Sequence, residues 1–123
     1  MAIVVLTTEI IEKTTGLYEF DIVDELDDPV PVSDLSSMDI TYYDLDTETI
    51  INSRSSQDVL NVNNVTVDEV GHVIWSLQTS DSILIDARKE LEQHIVLFHW
   101  VTGNGVVGRH EVQFPVRNLT LVD

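Results

Sequence analysis

The chain has 123 residues, 43% of them hydrophobic, with 22 Asp plus Glu against six Lys plus Arg and no cysteine. That length suits one domain with enough apolar material for a core, and the lack of cysteine excludes a disulfide scaffold, a thiolate metal site and a cysteine nucleophile. The formal charge of −16, with cations scattered as Lys13, Arg54, Arg88, Lys89, Arg109 and Arg117, excludes nucleic acid and anionic membrane as partners, since both require clustered Lys and Arg.

The opening MAIVVLTTEIIEK lacks a basic leading region, its apolar run is short, and acids follow at once. It does not read as a signal peptide, and no apolar run reaches the length of a membrane span. The expectation is a protein made in the cytoplasm and kept there, or carried on a larger assembly.

Helical periodicity is missing almost everywhere. The only alanines are Ala2 and Ala87, while Val, Ile and Thr abound, which suits pleated, half-buried surfaces. Ile3–Leu6 is a first edge strand or an arm. Leu17–Val23 alternates, with Tyr18, Phe20 and Ile22 on one face, and predicts a strand. Asp24–Asp34 carries Pro29 and Pro31 in an acidic setting and predicts a loop, because proline cannot donate to a ladder. Ile40–Leu45 is a strand, Asp46–Glu48 a turn, and Thr49–Ser53 a short returning strand. Arg54–Asp58 is polar, with room for one helical turn. Val59–Val67 is one strand or two short ones, and Asp68–Gly71 is a turn.

His72–Leu77 is a strand with Val73, Trp75 and Leu77 facing the core. A turn follows at Ser80–Asp81, and Ser82–Ile85 is extended or begins a helix. Asp86–Gln93 holds the only cluster of good helix formers and is given one or two turns.

Two arms joined by a glycine-rich turn come next. His94–Val101 carries Val96, Phe98 and Trp100 on one face and Ile95 and Leu97 on the other, as a strand inside a sheet or between layers does. In the second arm His110, Val112, Phe114 and Val116 point one way, while Glu111, Gln113 and Arg117 point the other. Between them Gly103, Asn104, Gly105 and Gly108 accept positive φ at little strain. Asn118–Val122 is read as a strand tail. About seven to nine short strands at spacings of roughly ten residues predict an antiparallel sandwich or barrel, with the two tryptophans as core anchors.

No constellation here demands a particular chemistry. Asp24, Glu25, Asp27 and Asp28 cluster, and Asp44, Asp46 and Glu48 alternate. Calcium takes several converging oxygens, but neither stretch has the spacing of a helix–loop–helix site. The reading is a solvated acidic face, with a structural cation as the sharper alternative. The histidines, His72, His94, His99 and His110, show no zinc spacing. His94 and His99 are five apart and face opposite sides of one strand. His110 lies on the inward face of its strand, within reach of His94 or His99 across the hairpin. Such a cross-strand pair could hold a metal, but a histidine so placed is expected more often to donate to a carbonyl or carboxylate at the core margin. There is no GxSxG elbow and no Ser–His–Asp cue. Gly103-Asn104-Gly105 is no phosphate loop, since no lysine or helix follows. The sequons at Asn64 and Asn118 lack a secretory signal.

Four segments carry a resemblance: ITYYDLDTETIINS (Ile40–Ser53), NVTVDEVGHVIWSL (Asn64–Leu77), EQHIVLFHW (Glu92–Trp100) and GRHEVQFPVRNL (Gly108–Leu119). A strand ending I-I-N-S, a turn glycine before a strand with tryptophan, E-x-H-x-x-x-F-x-W, and a closing E-V-x-F-x-V-x-N-L together resemble small immunoglobulin-like proteins of tailed bacteriophages. These are similar to the N-terminal domain of baseplate and tail upper proteins and to accessory proteins of head, neck or tail. The likeness spans about residues 37–120 and rests on turn glycines and core aromatics. It implies a sandwich and a place on the virion, made in the host cytoplasm, and it carries over no catalytic residue.

The expectation is therefore an all-β, immunoglobulin-like antiparallel sandwich over residues 1–123, with at most one short helix and with 1–8 as an N-terminal arm or edge strand. The protein is expected to be no enzyme, and no catalytic, cofactor-binding or metal-binding residue is assigned. The first functional expectation is a capsid decoration or cement protein, in many copies or as a homo-oligomer, bound to the major capsid protein. The second is a neck, tail or baseplate component bound to other virion proteins. The third is a carbohydrate- or host-binding module; Tyr42 and Tyr43 adjoin and cannot both face inward, and Tyr43 is the aromatic to test. An apolar arm Met1–Thr8 could add a strand to a partner's sheet edge; the plainer reading is the domain's own first strand.

Overall fold

In the computed structural model residues 4–7, 9–24, 26–86 and 88–118 are described. Their strands are β1 (Val4–Val5), β2 (Ile10–Ile11), β3 (Gly16–Asp21), β4 (Leu35–Asp44), β5 (Gln57–Asp58), β6 (Val65–Val67), β7 (His72–Leu77), β8 (Leu91–Thr102) and β9 (Val107–Arg117). One sheet runs β1-β9-β8-β4-β5, with β2 also on β9; the other runs β3-β7-β6. All pairs are antiparallel except β1 and β2, which lie parallel to β9. The two sheets make an all-β sandwich in which the first strand pairs with the last.

The hairpin β8–β9 is the spine. Its ladder runs from Leu91 opposite Arg117 to Val101 opposite Val107, and β4 adds along its other side from Leu35 to Asp44. The inward phase of these three strands places Met38, Ile40 and Tyr42 beside Val96 and Phe98, then Val112, Phe114 and Val116, all buried. Trp75 and Leu77 of β7 and Ile22 close the core from the other layer. Aromatic rings knit the two layers. Tyr42 meets Trp75 edge-on at 5.2 Å, and Phe20 meets Phe98 at 4.9 Å, the geometries the ring quadrupoles favour.

Several expectations need correction. Ala87 lies outside the described residues, and the rest of Asp86–Gln93 shows no helix. Glu92 turns inward and accepts the backbone N–H groups of Ile85 and Asp86, and Leu91–Gln93 joins β8; tertiary pairing outweighs propensity. Thr49–Ser53 is no strand, making one isolated bridge between Tyr43 and Ile50. Val59–Val67 is strand only over Val65–Val67, and Arg54–Asp58 holds the two-residue β5 rather than a helical turn. The cause lies in the backbone: Asn52, Ser53, Ser56, Asn61, Asn63 and Asn64 all take positive φ. Successive left-handed residues coil the chain instead of extending it.

In β4 the strand begins at Leu35, ahead of the expected Ile40, through an irregularity between Leu35 and Ser37. Ser82–Ile85 is neither strand nor helix. Asn118 lies beyond β9, and the rest of the expected tail is outside the described residues. The arm is the domain's own edge, since Val4 and Val5 pair with Val112 and Gln113; Met1–Ile3 and Thr8 lie outside the described residues. No helix among the described residues is long and apolar enough to cross a membrane.

Candidate functional site

The two ends of the sandwich differ. At one end the loop after β3 meets the β8–β9 turn, and Gly103 N–H donates to the Asp34 carbonyl at 2.9 Å. Between them lies an open groove of about 680 Å³, with Asp24, Ser33 and Asp34 on one side and Trp100, Asn104 and Val107 on the other. Trp100 is half-buried, so it serves as groove wall as well as core margin. Asp24 and Asp28 are exposed as expected, but Asp24 is occupied locally: its Oδ1 accepts the amides of Leu26 and Asp28. Glu25 lies outside the described residues.

At the opposite end the inward phase turns polar. Tyr42 and Asp44 follow each other on the inner face of β4, and Glu92 and His94 do so on β8. Because Asp44 stands opposite His94 in the ladder, the four side chains converge. Asp44, Glu92 and His94 are 1%, 2% and 0% exposed, and each offers a ligand atom within 4.8 Å of the others. Asp44 thus departs from the expected solvated row, whereas Asp46 and Glu48 remain exposed. Asp44 Oδ2 accepts from the Thr47 N–H and hydroxyl at 3.0 and 2.8 Å. Its Oδ1 is buried with no hydrogen-bond partner among the described residues.

His94 lies between Tyr42 and Glu92. Its Nδ1 is 3.0 Å from the Tyr42 oxygen and its Nε2 is 2.9 Å from Glu92 Oε1. Tyr42 donates to the Asp81 carbonyl at 2.6 Å. Burial is the chief cause that keeps the His94 imidazole below its usual range, against the opposing pull of Glu92. Burial, with the Asp81 charge next, raises the Tyr42 hydroxyl well above its own.

A second buried network adjoins this one, and nothing in the sequence pattern singled it out. Arg54 holds Asp81 by two bonds, Nε–Oδ1 at 2.6 Å and Nη2–Oδ2 at 3.0 Å. Both side chains are buried, 2% and 0% exposed. Asn52 also donates to Asp81, and Arg54 donates to Gln57, the Asn63 carbonyl and Asn64. The guanidinium lies 5.9 Å from the centre of the Trp75 ring. Every donor of this fork has work within the loops it gathers, so the pair is architectural.

The other histidines reach neither of these networks. His72 faces outward, 2.8 Å from Asp21 and 3.1 Å from Glu19, and these two carboxylates raise its pKa. His99 meets Asp39 on the outer face at 3.1 Å. His110 does not pair with His94 or His99; its ladder partner is Phe98. It stacks on Phe20 at 4.1 Å and lies 2.7 Å from the Tyr18 oxygen. Tyr43 lies half-buried on the outer face, with Thr41, Glu48 and Ile50 around a shallow depression. No family model matches this chain, and no curated protein matches it significantly.

Proposed function

We propose that this chain is a non-enzymatic structural protein of a tailed bacteriophage particle, binding the assembled shell in many copies as a decoration or cement protein. The observation that carries the reading is the outer edge of β3. Because β1 and β2 pair with β9, β3 has β7 as its single strand neighbour among the described residues. The other edges are blunted: β5 is two residues long, β6 is closed by Val67 N–H donating to Asn61 Oδ1, and β9 is covered by β1 and β2. An open edge of six residues is a template for an added strand. Leu17 is 70% exposed there, and Glu19 and Asp21 stand on the same outward face. The fitting occupant is an extended, basic segment of a shell subunit. The charge of −16 keeps free copies apart and is neutralised on a basic lattice. Binding to the assembled state alone stabilises it by mass action.

The resemblance of residues 37–120 to phage accessory proteins supports the same class, and a site at neck, tail or baseplate uses the same edge. Co-sedimentation with empty shells tests the proposal. The wild type is expected to pellet with shells and Leu17→Glu to remain in the supernatant while still folded. Pelleting of the variant with wild-type efficiency contradicts the edge as the contact.

A second reading, a carbohydrate-binding module, draws on the groove, where Trp100 faces Asp24 and Asp34 across about 680 Å³. An aromatic wall with carboxylate acceptors is a sugar-type lining. Glycan-array binding that disappears in Trp100→Ala, or in Tyr43→Ala on the outer face, favours this reading over the first.

A further inference from the structure

We infer that Asp44, Glu92 and His94 form a buried site for a first-row divalent metal ion, of which zinc is the best fit, tying the end of β4 to the start of β8. The position of one proton sets the chemistry of the cluster. The Asp81 carbonyl can only accept, so the Tyr42 hydroxyl proton points to it across 2.6 Å. The same Tyr42 oxygen lies 3.0 Å from His94 Nδ1, and having spent its proton it can only accept there. Nδ1 is therefore the protonated ring nitrogen. In the neutral imidazole, Nε2 then presents a lone pair, and what it faces at 2.9 Å is Glu92 Oε1, another acceptor.

Two acceptors at hydrogen-bond distance need a proton or a cation between them. A proton on His94 or on the Glu92 carboxyl is one choice. A metal ion is the other. Asp44 favours the metal independently: it is 1% exposed, and its Oδ1 has no hydrogen-bond partner among the described residues. Two carboxylates and one imidazole lone pair would balance the charge of a divalent ion held among them.

The donor set decides the kind of ion. One imidazole nitrogen with two carboxylate oxygens suits zinc and its neighbours, whereas calcium takes six to eight oxygens. Ligand bonds of about 2.0–2.2 Å place ligand atoms roughly 3.5 Å apart, so the present spread of up to 4.8 Å closes by little more than about 1 Å. The second shell is already built: Tyr42 orients His94, backbone amides of Ile85 and Asp86 hold Glu92, and Thr47 holds Asp44.

The test uses the full chain, stripped with a chelator and titrated with Zn²⁺, with Co²⁺ as a spectroscopic stand-in. The expected result is one tightly held ion per chain by native mass spectrometry, a raised Tm, and a tetrahedral Co²⁺ absorption band. Asp44→Asn, which keeps the shape and removes the charge, is expected to weaken Zn²⁺ by at least about tenfold, while the neighbouring exposed Asp46→Asn binds as the wild type does. No stoichiometric Zn²⁺ on the folded wild type overturns the inference. So does Asp44→Asn binding as tightly as wild type, or a preference for Ca²⁺. If Asp44→Asn does not fold, the Co²⁺ spectrum of the wild type decides: a tetrahedral band with a nitrogen ligand supports the site, and an octahedral all-oxygen spectrum overturns it.

Discussion

Arg54 and Asp81 grip each other in the interior by two parallel bonds, at 2.6 and 3.0 Å, from loops on either side of β5, β6 and β7. Such a fork matches the planar geometry of a guanidinium to that of a carboxylate. Removing one partner leaves the other charged and buried. Arg54→Met or Asp81→Asn is expected to lower unfolding stability by about 3–5 kcal/mol, read from chemical denaturation. Arg54→Lys is expected to recover only part of this, since one ammonium cannot reach Asp81, Gln57 and the Asn63 carbonyl together.

Gly108 lies flat on Trp100. A Cβ there would come within 2.3 Å of the indole ring, a distance that forces the ring or the hairpin to move. Gly108→Ala is expected to destabilise by about 1–3 kcal/mol and to shift tryptophan fluorescence as Trp100 is displaced into the groove. An unchanged Tm and spectrum would contradict the close approach.

Gly71 makes a similar demand on the opposite layer. It has a φ of +73°, and a Cβ there would meet the backbone carbonyls of Val30 and Ile22 at 2.6 and 2.7 Å. Both obstacles are main chain, so neither can swing aside. Gly71→Ala is expected to exceed the roughly 1 kcal/mol of a left-handed residue alone, measured against Gly105→Ala. Gly105 shares the positive φ but has nothing within 4 Å.

Two histidines give pH dependences of opposite sign. The Asp21 and Glu19 carboxylates raise the His72 pKa, so its stabilisation is present below the unfolded value of about 6.5 and fades as pH rises through the folded value. Burial lowers the His110 pKa, with the Tyr18 hydroxyl at 2.7 Å as its polar neighbour. Its unfolded form binds the proton more readily, so stability falls as pH drops from about 6.5. Proton NMR titration is expected to place His72 above and His110 below the ordinary value. Asp21→Asn is expected to lower the His72 midpoint and leave that of His110 where it was.

Much of the frame was legible from alternation. In β7, β8 and β9 the apolar phase of the sequence is the buried phase of the fold, and in β3 it is the partly buried, inward one. What period cannot supply is register. Tyr42-x-Asp44 and Glu92-x-His94 are each visible as polar residues in the inward phase of a strand, and that was the available signal for the buried cluster. Only the pairing of Asp44 with His94 brings them together. The winding of residues 48–64 was hidden for another reason: Asn and Ser tolerate left-handed φ without advertising it as glycine does. Arg54 read as one scattered surface cation because its partner lies 27 residues on, at Asp81.

Cryo-electron microscopy of the particle that carries the protein decides whether the β3 edge docks on a phage shell, as proposed. Repeated copies of this domain are expected on the shell, each with an extended subunit segment hydrogen-bonded along Gly16–Asp21. Particles without the domain, or copies seated through the Trp100 groove with the β3 edge facing solvent, would contradict it.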